Sequence, residues 1–280
     1  MATFAAPRFL ELPHGRLAYY RFGRGPDVVM VHGWPLHAAT YRHVIPALAE
    51  RYTLHLFDLP GTGRTTEWTG AISLWEHPAT VRAAIAQLGL ARFAFVGQDS
   101  GGAIARIAAA GDPRVAALVL AGTEIPHHHP ALVVAYSALA RSPALARLVL
   151  RAMRIGPLRR SALGFGGVFT DAHHADGEFR DLFIEPFIAD PRGQLALLRH
   201  FDIARFDELE PLHAQIAAPV LCIWGTDDPF FPIAKARAML PQFPRAELVE
   251  IPRGKLFTHE DHPEAFARHT LAFLDRHLAH

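Results

Sequence analysis

Short apolar, β-branched runs that alternate with stretches of helical spacing restrict this chain to few architectures. The runs are "DVVMVHG" (27–33), "YTLHLFD" (52–58), "FAFVG" (93–97), "VAALVLAGT" (115–123), "APVLCIWG" (218–225) and "AELVEIP" (246–252). Between them the spacing predicts helices over 39–50, 74–90, 102–111 and 263–278. Repeated strand–helix units predict an α/β fold, a mostly parallel sheet with helices on both faces. "RLAYYRFG" (16–23) reads as an antiparallel strand at the start of that sheet. The alternation stops near Pro126 and resumes near Ala218, and the chain between is arginine-rich and broken by glycine and proline. This predicts a helical lid over 126–210, set into a core formed by 1–125 and 211–280.

Composition removes several function classes. A chain of 280 residues, half of them hydrophobic, can bury one large core. Its formal net charge of +1 offers no general attraction to nucleic acid or to an anionic membrane. The arginines of "LARLVLRAMRIGPLRR" (145–160) alternate with leucines at helical spacing and read as a solvated amphipathic face, with membrane contact the minor alternative. The single cysteine, Cys222, excludes an intramolecular disulfide and reads as a buried strand thiol. "IPHHHPAL" (125–132) reads as surface-loop histidines rather than a metal site. The start lacks a basic region followed by an apolar stretch, and no apolar run reaches membrane-spanning length. A cytoplasmic protein without cofactor or metal is expected.

"VGQDSGG" (96–102) follows a predicted strand and opens a small-residue helix. In a turn of the type small-x-nucleophile-x-small, the residue at the apex sits in strained backbone, and its neighbours must lack bulk. Gly97 and Gly101 frame Asp99, which places Asp99 and not Ser100 at the apex. "VMVHGWP" (29–35) ends the first parallel strand, "WGTDDPFFP" (224–232) ends a later one, and "FTHEDHPEAF" (257–266) opens the last helix.

Together these segments resemble the α/β-hydrolase superfamily, and within it the haloalkane dehalogenase and epoxide hydrolase branch, which uses an aspartate nucleophile. The resemblance implies that Asp99 displaces a leaving group from saturated carbon and becomes an alkyl ester. A histidine-activated water then attacks the ester carbonyl, and two backbone N–H groups, those of Trp34 and Ser100, hold the oxyanion. It implies Asp228 as the acid that orients the histidine, with Glu124 in "AGTEIP" as the alternative. The histidine itself is missing. Its usual position, seven residues before Pro263, is Leu256, which can accept no proton. His259 is the candidate for a relocated base. Natural loss and a deliberate trapping substitution would leave the same trace at Leu256.

The substrate is left open between haloalkane and epoxide. Ser100 and Trp34 stand where dehalogenases carry halide donors, and the lid holds one tyrosine, Tyr136, where epoxide hydrolases use two. Trp34 and Tyr136 are expected to touch substrate, and Phe165, Phe169, Phe179, Phe183 and Phe187 favour an apolar pocket. A small apolar molecule and water are the expected partners. A catalytically silent ligand binder, and serine esterase chemistry through Ser100, are the competing readings.

Overall fold

The computed structural model describes residues 4–278. Eight strands form one sheet: β1 (Arg8–Leu12), β2 (Gly15–Phe22), β3 (Asp27–Val31), β4 (Thr53–Phe57), β5 (Phe93–Gln98), β6 (Val115–Ala121), β7 (Val220–Gly225) and β8 (Ala246–Ile251). Their spatial order is β1-β2-β4-β3-β5-β6-β7-β8. β2 pairs antiparallel with β1 and β4, and every other pairing is parallel. The inner parallel strands β3, β5, β6 and β7 are covered on both faces, so they read as near-continuous apolar runs rather than as alternation. Val29 and Val31 belong to one core cluster while Val28 and Met30 belong to the other, as the two-residue period of a strand requires.

Strand order reverses at β3, which has β4 on one side and β5 on the other. In open α/β sheets such a reversal splays the connections apart and leaves a crevice beyond the carboxyl ends of the strands. The Gly33–Trp34 turn leaves β3 at this point, and Asp99 leaves β5 beside it.

The expected strands all form, and helices occupy His77–Gln87, Ser100–Ala109 and Pro263–His277. Two details differ. β1 was not anticipated, because an edge strand with mostly exposed or half-buried residues carries little hydrophobic signal. The helix expected over 39–50 is a 3-10 turn, Ala38–Tyr41, followed by a separate helix, Ile45–Ala49. Pro46 starts the second piece, since proline suits a first helical turn and would break a continuous helix.

Between β6 and β7 every regular element is helical, including Ala131–Ala140, Pro143–Ala152, Gly156–Arg159, Arg192–Arg199 and Leu209–His213. Among the described residues no helix is long and apolar enough to cross a membrane.

Candidate active site

Asp99 sits at the apex of the β5–helix turn with φ 50° and ψ −136°, outside the ordinary helical and extended regions. Main-chain bonds hold it there. Its N–H reaches the carbonyls of Ala121 and Gly122 at 3.1 and 3.0 Å, and its own carbonyl accepts from Gly102 N–H at 2.7 Å. The glycines are required by close approach. A Cβ on Gly97 would lie 2.6 Å from the Gly101 carbonyl, one on Gly101 would strike the Val31 carbonyl, and one on Gly33 would lie 2.5 Å from Asp99 Cβ. The glycine framing read from the sequence therefore has a direct steric cause.

The carboxylate faces an apolar cavity of about 130 Å³. Trp34, Tyr136, Phe187, Leu256 and Glu124 are among its walls. Burial is the main reason the Asp99 carboxyl titrates well above the usual carboxylate range. The charge of Glu124 adds to that, and the N–H groups of Ser100 and Trp34 oppose it. Those are the two donors that the resemblance implies for an oxyanion hole. Trp34 N–H also donates to Ser100 Oγ at 2.9 Å, so the serine hydroxyl shares this donor.

His32 holds the peptide that carries Trp34 N–H, a contact not read from the sequence. The Gly33 carbonyl, 3.0 Å from His32 Nδ1, can only accept, so Nδ1 carries the proton. Nε2 is then the acceptor for Leu59 N–H at 3.1 Å. Burial lowers the ring's pKa to about 4, which keeps it neutral and preserves this tautomer. The bonded carbonyl belongs to the same peptide plane as Trp34 N–H, so His32 fixes the direction of that donor.

Asp228 is buried at the end of β7. Its Oδ1 accepts from Phe230 and Phe231 N–H at 2.8 and 3.0 Å, whereas Oδ2 has no partner. A methyl placed on Gly122 would find Leu256 Cδ1 at 3.1 Å and Asp228 Oδ2 at 3.4 Å, so the orphaned oxygen and the leucine tip share one neighbourhood. Desolvation drives the Asp228 pKa up to about 7. An acid whose folded pKa lies above its unfolded value costs stability as pH rises past the unfolded value, and the cost is complete above the folded one. Asp228→Asn keeps the Oδ1 acceptor and removes the charge. It is expected to gain about 2–3 kcal/mol relative to the parent between about pH 5 and pH 8. Urea melts at the two pH values measure this, and a difference that does not change with pH contradicts it.

Glu124, the alternative acid, is buried against the cavity. Its Oε2 accepts from Thr123 Oγ1 at 2.8 Å and lies 4.0 Å from Arg106. Burial raises its pKa and the Arg106 guanidinium opposes the rise. Arg106 is itself fully buried, and desolvation brings its pKa down to about 10. It bonds Thr123 Oγ1 (3.0 Å), the Glu124 carbonyl (2.7 Å) and His213 Nε2 (3.1 Å), tying the helix after Asp99 to the loop after β6.

His259, the candidate relocated base, does not line this cavity. It is fully buried outside the cavity wall, beside Tyr41, Phe257 and Phe266, with Nε2 2.6 Å from Thr40 Oγ1. The short helix Thr258–Asp261 packs against Ala38–Tyr41 and turns the ring away. Burial drops its pKa to about 3. The histidine run also departs from expectation. His127 and His129 are exposed and pair with Asp207, whereas His128 lines the cavity, its Nε2 2.7 Å from the Phe230 carbonyl. That carbonyl can only accept, so Nε2 carries the proton. Consecutive residues in a turn face different ways, and nothing in the tripeptide marks which one points inward.

Trp34 and Tyr136 both line the cavity, their ring centroids 6.2 Å apart. The Tyr136 hydroxyl donates to the Leu163 carbonyl at 2.8 Å. Of the five phenylalanines expected at the pocket, Phe165 and Phe187 line it. Phe169, Phe179 and Phe183 are buried outside that wall, with the Phe179 ring centroid 4.8 Å from each of the other two.

Comparison with known proteins identifies the family to which this fold belongs. Haloalkane dehalogenase 2 of Mycobacterium tuberculosis is 28% identical over 279 residues, covering 93% of this chain and 92% of the relative. The pimeloyl-[acyl-carrier protein] methyl ester esterase of Xanthomonas campestris pv. campestris is 29% identical over 246 residues, covering 83% and 88%. The solved structure of the epoxide hydrolase CorEH without ligand superposes with a TM-score of 0.81 at 19% identity, over 97% of this chain and 99% of that one, a likeness of fold. A family model described as alpha/beta hydrolase fold matches residues 26–263. Strand order, elbow and family match lead to one statement: the chain belongs to the alpha/beta hydrolase fold family.

Proposed function

We propose that the protein is a hydrolase whose Asp99 carboxylate attacks an alkyl carbon of an apolar haloalkane or epoxide and becomes an alkyl ester. Hydrolysis of that ester is impaired because Leu256 stands where the base would be. The observation that carries this reading is the pairing of a strained, cavity-facing Asp99 with a buried Asp228 whose Oδ2 has no partner beside Leu256. Attack forms the Asp99 Oδ–carbon bond and breaks the bond to the leaving group. A halide departs with its electron pair and needs no proton. An epoxide oxygen does need one, and Tyr136, the one tyrosine at hand, has its hydroxyl engaged by the Leu163 carbonyl. This favours the haloalkane. The helical segment around 126–210 serves as the lid that keeps the cavity dry, Trp34 and Ser100 are the oxyanion donors, and Asp228, with Glu124 as the alternative, is the acid left without a histidine to orient.

The test is intact-mass spectrometry after incubation with a bromoalkane, followed by peptide mapping. The expected result is one alkyl group, retained on the peptide containing Asp99. The carboxylate is the reactive form and its pKa is raised, so the rate of adduct formation is expected to climb as pH rises beyond the usual carboxylate range. Tight reversible binding without an adduct would make the protein a silent ligand binder. Ester turnover abolished by Ser100→Ala would favour the esterase reading, which has the esterase relative in its support.

A further inference from the structure

Six of the seven large apolar side chains with substantial exposure among the described residues lie between residues 134 and 163. They are Val134, Leu145, Leu148, Ile155, Leu158 and Leu163, with Leu148 64% and Leu163 72% exposed. Residues 131–170 also contain six arginines and no acidic residue, in a chain whose overall charge is close to balanced. Arg154 pairs with Glu185, and Arg159 and Arg160 pair with Asp176. Arg141, Arg147 and Arg151 are exposed and make no ion pair among the described residues.

The helix Pro143–Ala152 divides these features between its two sides. Ala146, Val149 and Leu150 face inward and line the cavity that holds Asp99, as does Met153 one residue beyond the helix. At 100° per residue the opposite side carries Arg147, Arg151, Leu148 and Leu145. A cationic, leucine-bearing outer face is the pattern of a helix lying in the plane of a lipid interface, with leucines in the acyl boundary and arginines among the headgroups. We propose that this face docks on an anionic phospholipid bilayer and so brings Leu163, which both lines the apolar cavity and is exposed, to the phase in which apolar substrates dissolve. This departs from the solvated face read from the sequence.

A second copy of the chain fits less well, since two such faces would oppose arginine to arginine. An acidic protein would satisfy the three free arginines and leave apolar side chains on several successive elements uncovered. Docking of this kind is independent of what Asp99 does, so the test reads binding rather than turnover.

Sedimentation with vesicles of equal parts phosphatidylglycerol and phosphatidylcholine, compared with phosphatidylcholine alone, gives the measurement. Binding to the anionic vesicles and its loss at high salt are expected. Each arginine near such a surface contributes a factor of about five, so Arg147→Ala with Arg151→Ala should weaken binding about thirtyfold. Leu148→Asp should weaken it as well. All these variants should retain the parent's thermal midpoint and its rate of alkylation by a water-soluble haloalkane. The proposal is overturned by absence of sedimentation with anionic vesicles, or by binding that the substitutions leave unchanged. It is also overturned if, without vesicle binding, the face supports a dimer that Leu148→Asp dissolves or retains an acidic protein.

Discussion

Leu256→His is expected to convert a single alkylation into repeated turnover, with hydrolysis of the Asp99 ester accelerated by about 10²–10⁴-fold, the range a positioned general base supplies. The neighbours of Leu256 suit such a base. Asp228 keeps two backbone donors on Oδ1 and leaves Oδ2 free beside the leucine tip, where an imidazole N–H would meet it. That bond would fix the ring's tautomer and draw the Asp228 pKa down from about 7. Water attack would then place the oxyanion against Trp34 and Ser100 N–H. Steady-state halide release, with disappearance of the mass adduct, checks the outcome. A folded Leu256→His variant that still accumulates adduct without releasing alcohol would refute it, and rapid turnover by the parent would point to another base, for which His128 is the imidazole in the cavity wall.

Arg106→Ala is expected to destabilise the fold by about 3–5 kcal/mol, because it strands a buried carboxyl and several polar groups at once. The guanidinium is fully buried and joins Thr123, Glu124 and His213, elements that meet behind the cavity. Removing it leaves Glu124 without the charge that offsets its burial, and its pKa should climb further. Adding Glu124→Gln removes that uncompensated charge, so the double variant should recover part of the loss and be less destabilised than the sum of the single changes. Urea denaturation of the four proteins measures the coupling. Strict additivity would mean that Arg106 acts through packing alone.

Much of the frame was legible because its signals are local. Runs such as "FAFVG" and "VLCIWG" became β5 and β7, and the glycines around Asp99 announced a turn that only small residues can make. What stayed hidden depends on direction in space. His32 matters through the peptide plane it grips, which no spacing rule reports. His259 and His128 exchange their expected places because the packing of a short helix and the path of a turn decide which ring faces inward. Pro46 did mark a break, but helical spacing on either side concealed it.

The elbow has a consequence for how such a scaffold diversifies. Its shape is set by carbonyls, amides and absent methyls around the tip, so folding asks little of the functional group displayed there. A lineage, or an engineer, can exchange one attacking atom for another at that single codon and keep the surrounding architecture. The harder part of any such change is to supply the proton-handling partner across the chamber.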